Sequence, residues 1–369
     1  MMGKNDDSNL NPWEVKEVKN YGDLMENLGV SDFSKYSTKL KNAPLEIKRG
    51  LILGHKDFNK TLEAINRRKK FAVMTGLMPS GSFHLGHMSV INQVIYYQKL
   101  GAKVYLAVAD IEAQLTRNLT IEETRKIAIE EYLLNYIALG LSDKNLEFYF
   151  QSEGPKKNTK EYMNLSKLSS GKTTFNEIKN IYGELNPGKF TSALTQVADI
   201  LYPQLDGFKV TITPVGFDQL PHANFTRDIA SRMKFQMPGF TFNKLIPGLK
   251  GVNSKMSSSD KESYISFDDS EKEIERKIKK YAFSGGRETL KEHREKGGVP
   301  ENDVSFQYLK FLFEEDDKKL QEIYNSYKEG ILLTGELKEI LIEKINAFLK
   351  EHRKKKIKAR KQLHKYLID

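Results

Sequence analysis

Two histidines three residues apart, His84 and His87, are the first residues whose types and spacing could do chemistry. They follow an apolar, β-branched run at 71–75 and a turn at 79–82, which predicts a strand, a loop and a helix start. A helix N-terminus carries unpaired N–H groups and a positive partial charge, and both attract phosphate. Two imidazoles on one face of that helix can donate hydrogen bonds to phosphate oxygens. Gly86 between them lets a nucleotide ring approach the backbone.

A second short motif, Lys255-Met256 followed by three serines, lies about 170 residues later in the polar segment 253–261. Its lysine can stabilise charge on a leaving pyrophosphate, and the hydroxyls of Ser257 and Ser258 can hold that group. Each motif alone is a weak signal, because paired histidines are often packed in a core and serine-rich loops are common. Together the two motifs predict a site that activates a carboxylic acid with ATP.

The composition and the charge limit the kind of protein that carries these motifs. The chain has 369 residues, 39% of them hydrophobic, which predicts two or three domains with a sizeable core. Its net charge of +10 favours a polyanionic partner such as nucleic acid, although a lysine-rich proteome would give the same excess. Between residues 350 and 365 nine Lys or Arg stand against one Glu, and this clustering favours the nucleic-acid interpretation.

Several classes of protein are excluded by what the sequence lacks. It contains no cysteine, which excludes disulfides, thiolate metal sites and cysteine nucleophiles. No apolar run reaches the ~18 residues that cross a bilayer, and the polar residues 1–11 have no signal-peptide core. We therefore expect a cytoplasmic protein.

The elements that must position the two motifs form a parallel α/β pattern. Four buried strands are expected, at residues 71–76, 103–110, 146–151 and 209–215. The first two are joined by an amphipathic helix, which makes a right-handed βαβ unit and predicts a Rossmann-like, doubly wound parallel sheet. Thr120 and Glu123 predict a capping box that opens a helix ending at Gly140.

The pattern changes after the lysine motif. Ser270 and Glu273 predict another capping box, and from there to the end apolar residues recur at helical spacing. We expect an N-terminal appendage, a catalytic domain with a mostly helical insertion at about 152–208, and an all-α domain with a basic tail. The expected bounds of these three parts are 1–65, 66–268 and 269–369.

The sequence resembles class I aminoacyl-tRNA synthetases over nearly its whole length, and in particular the tryptophanyl-tRNA synthetases of archaeal type. Besides the two motifs, the resemblance rests on the segments 11–15, 174–183, 214–222 and 226–230. The segment 214–222 carries most weight, because tyrosine enzymes have a different version of it. The resemblance implies that tryptophan is activated with ATP to tryptophanyl-adenylate and passed to tRNA(Trp). It also implies Mg²⁺ bound through the ATP phosphates, a homodimer, and a helical domain that reads the anticodon.

The resemblance also implies which residues contact each substrate. For ATP these are Gly76, Pro79, Ser80, Gly81, His84, Gly86, His87, Gly216, Asp218, Lys255, Met256, Ser257 and Ser258. Of these, the residues expected to act in catalysis are His84, His87, Lys255, Ser257 and Ser258. For the amino acid they are Met74, Glu112, Gln196, Asp199 and Gln219.

The amino-acid pocket leaves several questions open. Glu112 and two glutamines match positions around the α-amino group, where a carboxylate and amide oxygens suit an ammonium. Asp199, in an apolar helical stretch, is either an acceptor for a ring N–H or O–H, or a capping or buried hydrogen-bonded residue. At Met74 many archaeal and eukaryotic tryptophan enzymes have a tyrosine that contacts the indole N–H. Ala107 falls near a glutamine that helps to bind the indole, and Leu77-Met78 replaces an Arg-Gly pair.

This pocket must therefore bind the indole differently. A tyrosine-specific enzyme, which Asp199 permits, and a catalytically inactive RNA-binding paralogue stay as alternatives.

Overall fold

A mainly parallel sheet lies at the centre of the structure, a computed structural model that describes residues 21–117, 119–256 and 260–367. The strands of this part of the chain are β1 Ser31–Asp32, β2 Ile52–Lys56, β3 Ala72–Leu77, β4 Lys103–Val108, β5 Leu146–Phe150, β6 Thr211–Gly216, β7 Gly239–Asn243, β8 Pro247–Gly248 and β9 Gly251–Lys255. Seven of them form one sheet in the order β1-β2-β7-β6-β3-β4-β5, and β8 and β9 form a separate hairpin. From β7 to β5 all neighbours are parallel, whereas β1 and β2 are antiparallel additions.

A crevice opens in the middle of this sheet. Strands β3 and β6 pair only through Ala72 and Val73, whereas β3 and β4 pair as far as Leu77. Since β3 and β6 separate toward their carboxyl ends, the sheet leaves a gap at the point where the crossovers run in opposite directions. Ligands of doubly wound folds bind at such a point.

Helices cover both faces of the sheet and make up the C-terminal region. The α-helices are α1 Tyr21–Asn27, α2 Ser34–Ser37, α3 Leu45–Lys48, α4 Phe58–Asn66, α5 Leu85–Lys99, α6 Asp110–Arg117, α7 Ile121–Ile127, α8 Leu134–Leu139, α9 Thr159–Ser170, α10 Phe175–Tyr182, α11 Pro187–Leu205, α12 Leu220–Arg232, α13 Glu271–Tyr281, α14 Leu290–Lys296, α15 Val304–Tyr308, α16 Asp317–Lys328 and α17 Thr334–Gln362. The π-helical turns are Ala128–Leu133 and Leu309–Phe313, and the 3₁₀ turns are Phe217–Gln219, Pro300–Asn302 and Leu363–Lys365. None of the helices in the described ranges is long and apolar enough to cross a membrane.

The predicted Rossmann-like sheet with a helical C-terminal region is confirmed. All four predicted strands are present as β3 to β6, with ends that differ by two residues at most. Strand β4 ends two residues earlier than predicted, because Asp110 opens α6 and its Oδ1 accepts the N–H groups of Ile111 and Ser152. Thr120 and Glu123 form the predicted capping box, and Gly140 ends the helix with a φ of 115° that favours glycine.

The segment before residue 66 adds to the sheet. Strand β2 pairs antiparallel with β7, and β1 pairs with β2, so residues 31–56 extend the edge of the sheet that carries the site. The sequence predicted an appendage here because a two-residue strand, and a second strand interrupted by Gly54 and His55, show no alternation of apolar and polar residues. The domain boundaries themselves stay predictions.

The C-terminal helices share the hydrophobic core of the sheet. One cluster of buried side chains includes Val73 and Val104 of the sheet, Phe267, and Leu349 of α17. Helix α17 lies against α8, where His352 Nε2 and Asn135 Oδ1 are 2.8 Å apart in a buried hydrogen bond. The basic segment at 350–362 is therefore the last part of the long helix α17, which packs against α8.

Candidate active site

The side chains of the two histidines accept hydrogen bonds from backbone N–H groups at the start of α5. His84 is the N-cap residue, and its Nδ1 accepts the N–H of Gly86 at 3.1 Å. His87 Nδ1 accepts the N–H of His84 at 3.2 Å. Because each Nδ1 is an acceptor, the ring proton lies on Nε2, which can donate to an oxygen of a ligand.

Both imidazoles are neutral at physiological pH. Their ring centroids are 3.8 Å apart in a stacked arrangement. Burial lowers the pKa of His84, with a further decrease from His87, and burial lowers the pKa of His87 to about 4. The pair therefore supplies directed N–H donors, and the positive field at this point comes from the N-terminus of α5.

Residues far along the chain fix the position of His84. Its backbone forms an isolated antiparallel bridge with Ser266, and its ring lies 4.8 Å from that of Tyr264. Phe83, fully buried, packs its ring 4.6 Å from Phe267. No sequence pattern indicated Tyr264 or Ser266, because they lie about 180 residues from the histidines and match no motif.

The second motif lies directly beside the first. The hairpin of β8 and β9 pairs Lys255 with Pro247, and Met256 is buried. A Cβ placed on Gly86 would lie 2.9 Å from His84 Cε1 and 3.3 Å from Met256 Sδ. Glycine is thus required where the two motifs meet. Ser257 and Ser258 lie outside the described residues.

Lys255 lies near the end of β6. Burial raises the pKa of the Asp218 carboxyl, and the positive charge of Lys255 partly opposes this rise. The Nε2 of Gln219 donates to Asp218 Oδ2 at 3.2 Å. A Cβ on Gly216 would collide with Asp218 Oδ1, so glycine allows this carboxylate to fold back over the strand end. Gly216, Asp218 and Gln219 therefore lie close to the lysine motif.

The floor of the crevice is formed by β3 and the loop after it. Gly76 is exposed although it lies within the sheet, and a Cβ there would meet only Ala107 O at 3.9 Å. Pro79 is buried, whereas Ser80 and Gly81 are half-buried on the way to α5. The open space above Gly76 is where a ligand can approach the backbone.

Two helices bring together the residues predicted for the α-amino group. Glu112 in the first turn of α6 is buried, and its Oε2 accepts the Nε2 of Gln196 from α11 at 2.7 Å. A carboxylate and an amide oxygen on adjacent helices make an anionic pair of groups that suits an ammonium. Gln219, predicted for the same role, is beside Asp218.

Three donors surround Asp199, and the sequence identified none of them. Tyr149 and Tyr162 donate to its Oδ1 at 2.9 and 2.7 Å, and Gln151 Nε2 donates to Oδ2 at 2.6 Å. Burial raises the pKa of Asp199 to about 6, and the three hydrogen bonds oppose the rise. Gln151 could have been found, because it directly follows β5 at the carboxyl edge of the sheet; Tyr162, from α9, could not.

Apolar side chains close the rest of this pocket. Met74 and Ala107 are buried in one cluster with Tyr149 and Tyr162. Met74 and Ala107 therefore belong to the same apolar cluster as the two tyrosines that donate to Asp199. Among the residues in the described ranges, no group of three or more His, Asp or Glu is arranged to hold a metal ion.

Comparisons with known proteins match this chain along almost its full length. Residues 66–350 match the family model of class I tRNA synthetases for tryptophan and tyrosine. The tryptophan–tRNA ligase of Aeropyrum pernix is 43% identical over 95% of both chains, and that of Methanocaldococcus jannaschii is 40% identical over 95% of this chain and 96% of its own.

Solved structures agree with the sequence relatives. The crystal structure of the tryptophanyl-tRNA synthetase from Aeropyrum pernix has a TM-score of 0.88 at 42% identity, covering 96% of this chain and 98% of that one. The tryptophanyl-tRNA synthetase from Giardia lamblia has a TM-score of 0.84 at 27% identity, covering 95% and 96%.

Proposed function

The chain belongs to the class I tRNA synthetases for tryptophan and tyrosine, and we propose that it joins tryptophan to tRNA(Trp) in two steps. The α-carboxylate of tryptophan attacks the α-phosphorus of ATP, which gives tryptophanyl-adenylate and releases pyrophosphate. The 2′-OH at the 3′ end of the tRNA then attacks the carbonyl carbon and AMP leaves. The meeting of Gly86 with Met256 carries the proposal, since it places the phosphate-binding helix start beside the lysine motif.

The histidines and the lysine have different roles toward the phosphates of ATP. His84 and His87 donate their Nε2–H groups to phosphate oxygens, and the N-terminus of α5 supplies the favourable field. Lys255 acts on the charge that develops on the departing pyrophosphate, with Ser257 and Ser258 beside it in the chain. Positioning and electrostatic stabilisation are the protein's main contributions to such a displacement.

The nucleoside of ATP fits the crevice between β3 and β6. Gly76, Pro79, Ser80 and Gly81 lie along the loop that leads to α5, and exposed Gly76 leaves space for the ligand. Beyond the crevice Gly216 presents the carboxylate of Asp218, an acceptor that suits ribose hydroxyls.

Magnesium enters this site with the nucleotide. Class I synthetases use ATP with Mg²⁺. No acidic cluster in the described part of the chain is built for the ion, so we assign its binding to the phosphate oxygens, which are hard ligands of the kind that Mg²⁺ prefers. The ion supplies neutralising charge to the phosphates when it is bound.

The amino acid lies between α6 and α11. Glu112, Gln196 and Gln219 receive its ammonium group, and Met74 packs on the ring. Asp199 accepts the indole N–H. A carboxylate has about four acceptor positions, so three internal donors leave one for the ligand and hold the group in a fixed direction.

Exchange of pyrophosphate into ATP with a panel of amino acids tests the proposal. We expect exchange with tryptophan only. Exchange with tyrosine above that with tryptophan would identify the alternative specificity, which the phenol-accepting chemistry of Asp199 allows. Absence of exchange with every amino acid would identify an inactive RNA-binding paralogue.

The partners are tRNA(Trp), bound in part by the helical region, and a second copy of the chain. Exposed apolar side chains on and beside the insertion support a homodimer. Leu115, Leu168 and Phe175 are 44%, 61% and 53% exposed, and Phe175 stacks on Phe190 at 6.0 Å. Large apolar side chains that stay exposed in one protein molecule are typical of surfaces that bind another.

A further inference from the structure

A row of five lysines follows the outer face of the C-terminal part of α17. They recur at intervals of three or four residues, which places them on one face of a helix. The members of this lysine row are Lys350, Lys354, Lys358, Lys361 and, in the 3₁₀ turn that follows, Lys365. From first to last the row extends about 22 Å along the helix axis.

The charge of the lysine row is directed to solvent. All five side chains are exposed, and only Lys354 has an ion pair, with Glu351 at 2.6 Å, within the described ranges. Two other basic residues of the same helix have ion pairs: Lys356 with Asp268 and Arg360 with Glu130. On ordinary protein surfaces, positive and negative side chains are interspersed. A row of side chains that are all positive therefore indicates an anionic partner.

The helix beneath the row is held in place before any partner binds. His352 is hydrogen-bonded to Asn135 of α8, and Arg353 donates to the backbone oxygen of Asp269. Asp269 lies in the same segment as Ser266, which pairs with His84. The backbone that carries the lysine row is therefore held beside the segment that pairs with His84, and a preorganised backbone loses less entropy on binding.

We propose that the lysine row binds the sugar-phosphate backbone of the tRNA. The proposal rests on the proposed function, because it names a surface through which that substrate is held. Phosphate contacts of this kind fix position and supply affinity without reading sequence. They leave the choice of tRNA to base contacts elsewhere.

An anionic membrane is the other polyanion that a row of lysines could bind, but α17 lacks the features of a membrane-surface helix. Interfacial helices carry a broad apolar face opposite their lysines, and that face enters the lipid. On α17 the corresponding residues are packed inside the protein, for example Leu349 and Ala359. Ile357, 66% exposed, is a single large apolar side chain beside the row and does not make a broad apolar face.

The test compares two fourfold variants of the full chain with the wild type. In the first, Lys350, Lys358, Lys361 and Lys365 are changed to Gln. The matched control changes four exposed lysines from other parts of the chain to Gln: Lys39, Lys70, Lys160 and Lys272. Aminoacylation is measured against tRNA concentration at several salt concentrations, beside tryptophan-dependent pyrophosphate exchange, which needs no tRNA.

We expect the KM for tRNA to rise roughly tenfold in the row variant, with a salt dependence that is shallower by about 3 in the log–log slope. Exchange and melting temperature should match the wild type, and the control variant should keep its KM. An unchanged KM and slope in the row variant, or an equal loss in the control, would overturn the proposal. So would binding to phosphatidylserine vesicles that the row variant loses while its KM for tRNA is unchanged.

Failure of the proposed function looks different. If the wild type shows no tryptophan-dependent exchange, the assigned reaction is wrong. Normal exchange combined with a row variant that charges tRNA like the wild type refutes the lysine row alone.

Discussion

At the scale of single residues, the site depends on which atoms are left to face a ligand. His84 and His87 use their Nδ1 atoms as acceptors of backbone N–H groups, so Nε2 is the ring atom left to donate to a ligand. The types and the spacing of these two residues led to the prediction that they bind phosphate. The tautomer and the neutral state could not be predicted, because they depend on backbone N–H groups and on burial by Tyr264 and Phe83.

Replacement of Lys255 by alanine should lower the kcat for adenylate formation by roughly 10²–10³ and change the KM for tryptophan little. A charge that acts on the leaving pyrophosphate contributes mainly in the transition state. Pyrophosphate exchange measures both constants. Lys250→Ala, on the same hairpin and paired with Asp260, is the control and should behave like the wild type. An unchanged kcat in Lys255→Ala would remove the motif from the chemistry.

Asp199 should make tryptophan binding sensitive to acid. Its pKa is about 6 in the folded protein, so below pH 6 the carboxylate takes up a proton and the affinity for tryptophan should fall. The effect on stability has the opposite sign. A carboxyl with a raised pKa opposes folding at neutral pH, and protonation relieves this penalty as the pH falls. Protonation of Asp199 therefore weakens tryptophan binding below pH 6 without destabilising the folded protein.

Asp199→Asn should weaken tryptophan binding at pH 7.5, leave ATP binding nearly unchanged and abolish this acid dependence. The loss for a charged acceptor is roughly 1.5–3 kcal/mol, and alanine should cost more than asparagine. Tyr149→Phe keeps the carboxylate and removes one of its donors, so it should retain the pH dependence. Wild-type tryptophan affinity in both Asp199 variants would mean that another group accepts the indole N–H.

At the scale of elements, the predictable parts are those with a strong period or a cap. The four predicted strands, β3 to β6, and the helix from Thr120 to Gly140 follow from apolar runs and from the capping box. Strand β1 has only two residues, and the donors around Asp199 come from β5, the turn after it and α9. Contacts of this kind are set by tertiary packing, and no local pattern reports them.

The contact between α8 and α17 should be a strong determinant of stability. His352→Ala removes a buried ring that packs 4.7 Å from Phe267 and leaves the Oδ1 of Asn135 without its hydrogen-bond partner. We expect the free energy of unfolding to fall by roughly 2–4 kcal/mol. His364→Ala, exposed just beyond the same helix, is the matched control and should change it by less than about 0.5 kcal/mol. Chemical denaturation measures both, and equal values would place the contact outside the stabilising core.

At the scale of the whole molecule, the exposed apolar residues near the insertion predict assembly. Phe175→Asp places a charge in the proposed interface and should halve the mass measured by light scattering at micromolar concentration. Leu290→Asp, on a side chain 66% exposed in the C-terminal region, should leave the mass unchanged. A wild-type chain that is already monomeric, or a Phe175 variant of unchanged mass, would exclude this surface as the interface.

The hydrophobic cluster that joins the sheet to α17 limits how such a chain can change in evolution. A recombination event near residue 268 would separate Leu349 from Phe267 and from the buried residues of β3 and β4, and both products would expose apolar surface. The helical region is thus not an exchangeable module. The strength of tRNA binding is more accessible to change through point substitutions on the outer face of α17, where exposed lysines can be replaced at little cost in folding stability.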